Sequence, residues 1–117
     1  MFTVFGFVTK RDDLTSDEFV DYYENHHVPL ILSLAPAPVV YKRHYVCHGD
    51  DLNIADSSFD FDAMTEMQFP SRAEFAAWIT AVTSGSAGER VAADEARFVE
   101  RSKTRAGVFA QHEPDQK

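Results

Sequence analysis

The chain has 117 residues, 44% of them hydrophobic and 13% aromatic, the size and apolar content of one compact domain with its own core. A formal net charge of -8 and a pI near 4.9 leave no basic stripe for a phosphate backbone, which argues against nucleic acid as a partner. Cys47 is the only cysteine, which excludes an internal disulfide and disfavours a zinc finger; with no signal pattern at the N-terminus and no apolar run near the ~20 residues of a membrane span, a cytoplasmic protein without membrane association is expected.

Residues 2–10, FTVFGFVTK, have the β-branched and aromatic content of a first strand, closed by Arg11, Asp12 and Asp13. Thr15 followed three residues later by Glu18 is a capping box, so a helix is expected to open at Ser16. Phe19, Tyr22, Tyr23, His26, Leu30 and Leu34 then recur at three- and four-residue steps as its apolar face, which places His26 inside the stripe and His27 about 100° further round, at its margin. Pro36 and Pro38 hand over to a second strand in VVYKRHYVCH. Alternation puts Val39, Tyr41, Arg43, Tyr45 and Cys47 on one side and Lys42, His44 and His48 on the other.

GDDLNIADSS reads as a loop and FDFDAMTEMQF as a third strand. In that strand Phe59, Phe61, Ala63, Thr65, Met67 and Phe69 share a side opposite Asp60, Met64, Glu66 and Gln68. Ser71 and Glu74 repeat the capping box before a second helix carrying Phe75, Trp78, Ile79 and Val82. The Gly/Ser patch TSGSAGE is expected to break the chain before a short third helix with Val91, Ala92, Glu95 and Phe98, and KTRAGVFAQH supplies the last strand. The order strand, helix, strand, strand, helices, strand is the α+β split βαβ pattern of a ferredoxin-like antiparallel sheet. A domain of residues 1–112 with a frayed tail at 113–117 is expected. Large residues on both faces of the strands predict a homodimer in which two sheets pack face to face.

TK…LTSDEFVDYYENHHVP, YKRHY, FDAMTEMQFPSRAEFAAW and ADEARFVERS together resemble the EthD family of dimeric α+β barrel proteins, over residues 2 to about 112. The signature residues are Lys10, Leu14, Thr15, Glu18, Phe19, Tyr22, Tyr23, His26, His27 and Pro29, with Asp94, Glu95 and Phe98 near the end. The resemblance implies the dimeric α+β barrel fold. Among members and structural relatives it implies dehydratases, decarboxylases and cyclases of aromatic polyketides, a muconolactone methylisomerase and cofactor-free monooxygenases. In the isomerase-like relatives a histidine near the end of the first helix is the proton shuttle; by motif position His26 matches it, and His27 is the one more typical of EthD proteins.

The residues themselves leave two readings of the histidine pair: proton transfer near neutral pH, or a helix end whose imidazoles are held by a tyrosine and by the helix dipole. Tyr45 is the tyrosine expected to hold a developing oxyanion, the others being core aromatics with wet tips. Glu66, an acid among apolar neighbours, either acts with His44 to orient the base or pairs with Arg43, Lys42 or His44 across the strands. Phe5, Phe7, Phe19, Tyr22, Tyr23 and Trp78 are expected to grip a planar substrate in a cleft between the first helix and the sheet. Adjacent helical histidines diverge by about 100°, and His44 and His48 lie ~13 Å apart along a strand, so no metal is expected. Phosphate loops, dinucleotide fingerprints and nucleophile elbows are absent, and no cofactor is expected. The sequence therefore predicts a cofactor-independent lyase or isomerase acting on an aromatic, polyketide or lactone-like molecule; the alternatives are a non-catalytic binding or accessory protein for a hydrophobic metabolite and a cofactor-free monooxygenase.

Overall fold

In a computed structural model, which describes residues 1–114, the apolar strand segments pair into one antiparallel sheet of order β2-β3-β1-β4. The strands are β1 (Phe2–Val8), β2 (Val40–Tyr45), β3 (Ala63–Phe69) and β4 (Arg105–Phe109). The helices are α1 (Ser16–Tyr22), α2 (Val28–Leu34), α3 (Arg72–Thr83) and α4 (Gly85–Glu95). This is the ferredoxin-like α+β arrangement. Of the expected tail, residues 115–117 lie outside the described residues.

Strand alternation sorts the chemistry between the two faces of the sheet. Val4 and Val8 of β1 and Ala63, Thr65 and Met67 of β3 are buried beneath the helices. Phe5 and Phe7, in register with Glu66 and Met64, lie on the opposite face. There Phe5 and Phe7 pack edge-on against Phe109 and Phe61, at centroid distances of 5.1 Å each. Phe59 and Phe61 were expected in strand three, on the side of Ala63. The strand begins only at Ala63, so alternation does not reach back to Phe61, which packs on Phe7 instead.

The capping box at Thr15 forms in full: its side chain accepts from the Glu18 N–H at 3.1 Å, and Glu18 accepts from the Thr15 N–H at 2.9 Å. At α3 only the Ser71 half forms, accepting from the Glu74 N–H at 3.3 Å. The chain breaks in the Gly/Ser patch as expected, at an extended Ser84, but the next helix, α4, starts earlier than expected, at Gly85, whose φ of 61° favours glycine. Gly88 sits so close to α3 that a Cβ there would lie 2.5 Å from the Thr83 carbonyl.

Between α1 and α2 the chain does not stay α-helical. Tyr23–His27 form a π-helical turn in which the Val28 N–H reaches the Tyr23 carbonyl, five residues back. Pro29, which has no N–H and whose ring crowds the preceding turn, sits at the start of α2. Four-residue steps in a regular α-helix drift by about 40° each, and the wider turn absorbs that drift. Phe19, Tyr23, His27 and Ile31 consequently share the buried face, at 1%, 4%, 8% and 3% exposure. His26, expected inside the apolar stripe, is exposed instead.

Candidate active site

His27 enters the core from the π turn, and the segment following α4 closes on it. The Phe98 ring packs against the imidazole at 5.0 Å and touches Phe19, Tyr22 and Tyr23 as well. Asp94 comes from the last turn of α4. One carboxylate oxygen stands 2.8 Å from His27 Nδ1, and the other accepts the Tyr22 hydroxyl at 2.6 Å. The His27 and Asp94 side chains are only 10% and 13% exposed. A carboxylate only accepts, so the neutral imidazole carries its proton on Nδ1 and leaves Nε2 as a bare lone pair. Nε2 has no hydrogen-bond partner among the described residues.

The imidazole forms part of the wall of a cavity of about 370 Å³ between the sheet and the helices, within the range of small-molecule sites. Gly6, in the middle of β1, contributes no side chain to its floor. Tyr23, Tyr41, Thr65, Met67 and Trp78 line it with His27. The Tyr23 hydroxyl is shared with Thr65 Oγ1 at 2.5 Å, and burial pushes its pKa up to about 12. Burial also raises Tyr41. Both phenols therefore remain protonated donors near neutral pH. Tyr41 has no hydroxyl partner among the described residues and so has a free donor for a ligand oxygen.

Of the residues expected from sequence, His27, Tyr23 and Trp78 meet at this cavity. Tyr22 reaches it indirectly, through Asp94. Phe19 lies beneath in the core. His26 stacks on Tyr22 at 4.8 Å, on the exposed side of the helix. Tyr45 donates to Glu24 at 2.5 Å, and Glu24 in turn accepts two bonds from Arg43 at 2.7 and 2.9 Å. That trio ties the π turn to β2. The Arg43 guanidinium holds the Glu24 carboxyl below its ordinary range, while burial and then Glu24 raise the Tyr45 phenol. His44 and Glu66 bond to each other at 3.0 Å on the far face, as Phe5 and Phe7 do with their own neighbours, so the sheet itself separates all four from His27. Among the described residues no group of three or more His, Cys, Asp or Glu side chains is placed to hold a metal ion, and no helix is long and apolar enough to cross a membrane.

Asp94 and Tyr41 were missed as site residues, although the signal for Asp94 lay in the D-E-x-x-F stretch. Asp94 and Phe98 stand four residues apart and close on the same imidazole. That stretch lies within residues 11–102, which match the EthD domain. The chain belongs to the EthD family. The EthD signature thus spans both halves of the His27 site, the helix that carries the imidazole and the turn that holds it. No curated protein matches the chain. Similar solved structures include an ethyl tert-butyl ether d (ethd) family protein from Bacillus halodurans, at 16% identity and TM-score 0.63 over 96% of this chain and 100% of that one. HapK from Hahella chejuensis matches at 16% identity and TM-score 0.60 over 100% of both chains. A dimeric ferredoxin-like protein of unknown function from Thermobifida fusca matches at 12% identity and TM-score 0.55 over 94% of this chain and 90% of that one. At these identities the likeness is one of fold.

Proposed function

We propose that this EthD protein is a cofactor-independent lyase or isomerase, of dehydratase, decarboxylase or cyclase type, that acts by histidine acid/base catalysis on an aromatic, polyketide or lactone-like small molecule. The observation that carries the reading is the asymmetric imidazole of His27, a residue that lines an aromatic cavity, with Nδ1 held by Asp94 and Nε2 left without a partner among the described residues. Nε2 takes a proton from a carbon made acidic by a neighbouring carbonyl and returns it, as imidazolium, to the carbon or leaving group of the intermediate. The Tyr41 hydroxyl donates to the oxygen on which charge develops. Apolar walls exclude water and hold a planar ring.

The aromatic face of the sheet, with Phe109 44% exposed and Phe59 of the preceding loop 37% exposed beside Phe61, supports a homodimer in which two such faces cover each other, as does the dimeric Thermobifida fusca structure. A binding protein for a hydrophobic metabolite is the second reading, favoured by Tyr45 and Glu66 having partners of their own rather than joining His27.

The deciding experiment supplies a panel of aromatic polyketide and lactone compounds to the wild type, His27→Ala and His26→Ala. The reading predicts product in molar excess over protein for the wild type and His26→Ala, with loss of turnover in His27→Ala. Saturation at one ligand per site without product, or equal turnover by all three proteins, contradicts it.

A further inference from the structure

The cavity adjoins a shallow polar depression formed by Glu95, Arg101, Ser102 and Thr104; Glu95, Arg101 and Thr104 also line the cavity itself. The site is therefore bipartite, apolar where the sheet and helices enclose it and polar at this rim. Arg101 is the arginine of this rim, and it is loosely held. Arg11, Arg43 and Arg105 are each closed onto a carboxylate at 2.9, 2.7 and 3.0 Å, whereas Arg101 meets Glu95 only through Nε at 3.6 Å. Its two Nη atoms have no hydrogen-bond partner among the described residues, and its side chain is 57% exposed. Ser102, which could compete for it, is turned onto Glu100 at 3.0 Å.

Against a net charge of -8 for the chain, the segment that carries the rim is richer in cations: residues 97–105 hold Arg97, Arg101, Lys103 and Arg105 against Glu100, although Glu95 shares the rim with Arg101 and Arg105 is closed onto Asp60. A guanidinium with both Nη groups open offers the parallel donors that a carboxylate accepts. Glu95 stands on the Nε side at 3.6 Å, beyond hydrogen-bond length, and leaves the outer edge of the fork open.

We propose that the ligand is an aromatic carboxylate, its ring in the His27 cavity and its carboxylate on the Nη atoms of Arg101 at the rim. The proposal deepens the reading of the cavity as a substrate site and rests on it, but does not depend on His27 acting as a base.

The test is calorimetric titration at low and high salt with three probes of one shape: 2-naphthoate, 2-naphthamide and 2-naphthylmethylammonium. The wild type binds naphthoate about tenfold more tightly than the amide at low salt. Salt erodes that advantage, and Arg101→Gln abolishes it. In Glu95→Gln, which removes a nearby like charge, naphthoate is retained or binds more tightly. Equal affinity for acid and amide overturns the proposal, as does tightest binding of the ammonium probe, which would make Glu95 the reader. If none of the three binds, the proposal falls together with the cavity as a ligand site. An anion preference that survives in His27→Gln alongside lost proton transfer, or in a wild type that transfers no proton, bears only on the catalytic reading.

Discussion

Replacing Asp94 separates its structural work from its chemical work. Its carboxylate accepts from His27 Nδ1 and from the Tyr22 hydroxyl at 2.8 and 2.6 Å, at 13% side-chain exposure. Asp94→Ala strands both donors where water reaches them poorly. At about 1–3 kcal/mol for each unsatisfied buried group, the expected loss of stability is about 2–6 kcal/mol. Asp94→Asn keeps the shape: its carbonyl still accepts from Tyr22, while its NH₂ now faces Nδ1 and must donate. The cost falls to about 1 kcal/mol. The imidazole proton, however, moves to Nε2, and the lone pair on that nitrogen is lost. Loss of a positioned base in this way costs roughly 10²–10⁴ in rate. Urea denaturation gives the stabilities, and long-range ¹⁵N–¹H spectra of the histidine ring give the tautomer, at a pH where the imidazole is neutral. The reasoning is refuted if wild-type His27 carries its proton on Nε2, if Asp94→Asn leaves the tautomer unchanged, or if Asp94→Ala unfolds within about 0.5 kcal/mol of the wild type.

Gly6→Val projects a side chain from β1 into the cavity, where a Cβ meets only the Arg105 carbonyl, at 3.8 Å; melting temperature should hold or rise, since valine suits a strand interior, while affinity for a naphthyl probe falls at least tenfold by calorimetry. Gly88→Ala drives a Cβ to 2.5 Å from the Thr83 backbone and should cost about 1–3 kcal/mol by urea denaturation, with the loss arising at the α3–α4 junction. Tyr45→Phe removes the donor that Glu24 receives at 2.5 Å and should cost about 0.5–1.5 kcal/mol. Arg43 keeps the folded-state Glu24 pKa below its ordinary 4.5, so the stabilisation from Glu24 is full above that value and fades as pH falls through the lower folded-state value. The wild type should therefore lose stability below about pH 4.5 more steeply than Glu24→Gln in parallel urea titrations.

Much of the fold was legible because it follows from short-range rules. Thr15 and Glu18 fix the start of α1, alternation assigns Tyr41, Arg43 and Tyr45 to one face of β2, and the element order gives the split βαβ topology. The histidine register was not legible from a 3.6-residue period, because Pro29 is accommodated by a π turn that brings His27 rather than His26 inward. The four-residue spacing of Phe19, Tyr23, His27 and Ile31 ahead of and across that proline was the available sign. The Gly/Ser patch does end α3, but the start of α4 inside it was not legible, because Gly88 lies within that helix and lets it approach α3 closely. His44 and Glu66 are drawn from neighbouring strands, as expected, but a helix-borne base and an outward-facing strand residue cannot meet across a sheet. Asp94 stands 67 residues from its imidazole, a pairing that only the closed fold brings into contact.

The most direct test of His27 as the base needs no knowledge of the natural substrate. Deuterium exchange at C1 of 2-tetralone, a planar enolisable ketone sized for the cavity, is followed by NMR in D₂O for the wild type, His26→Gln and His27→Gln, each first checked for a cooperative melt. The account predicts exchange above the buffer rate in the wild type and in His26→Gln, and a drop of roughly 10²-fold or more, or to the buffer rate, in folded His27→Gln. Exchange that survives in His27→Gln, or that vanishes in His26→Gln instead, contradicts it.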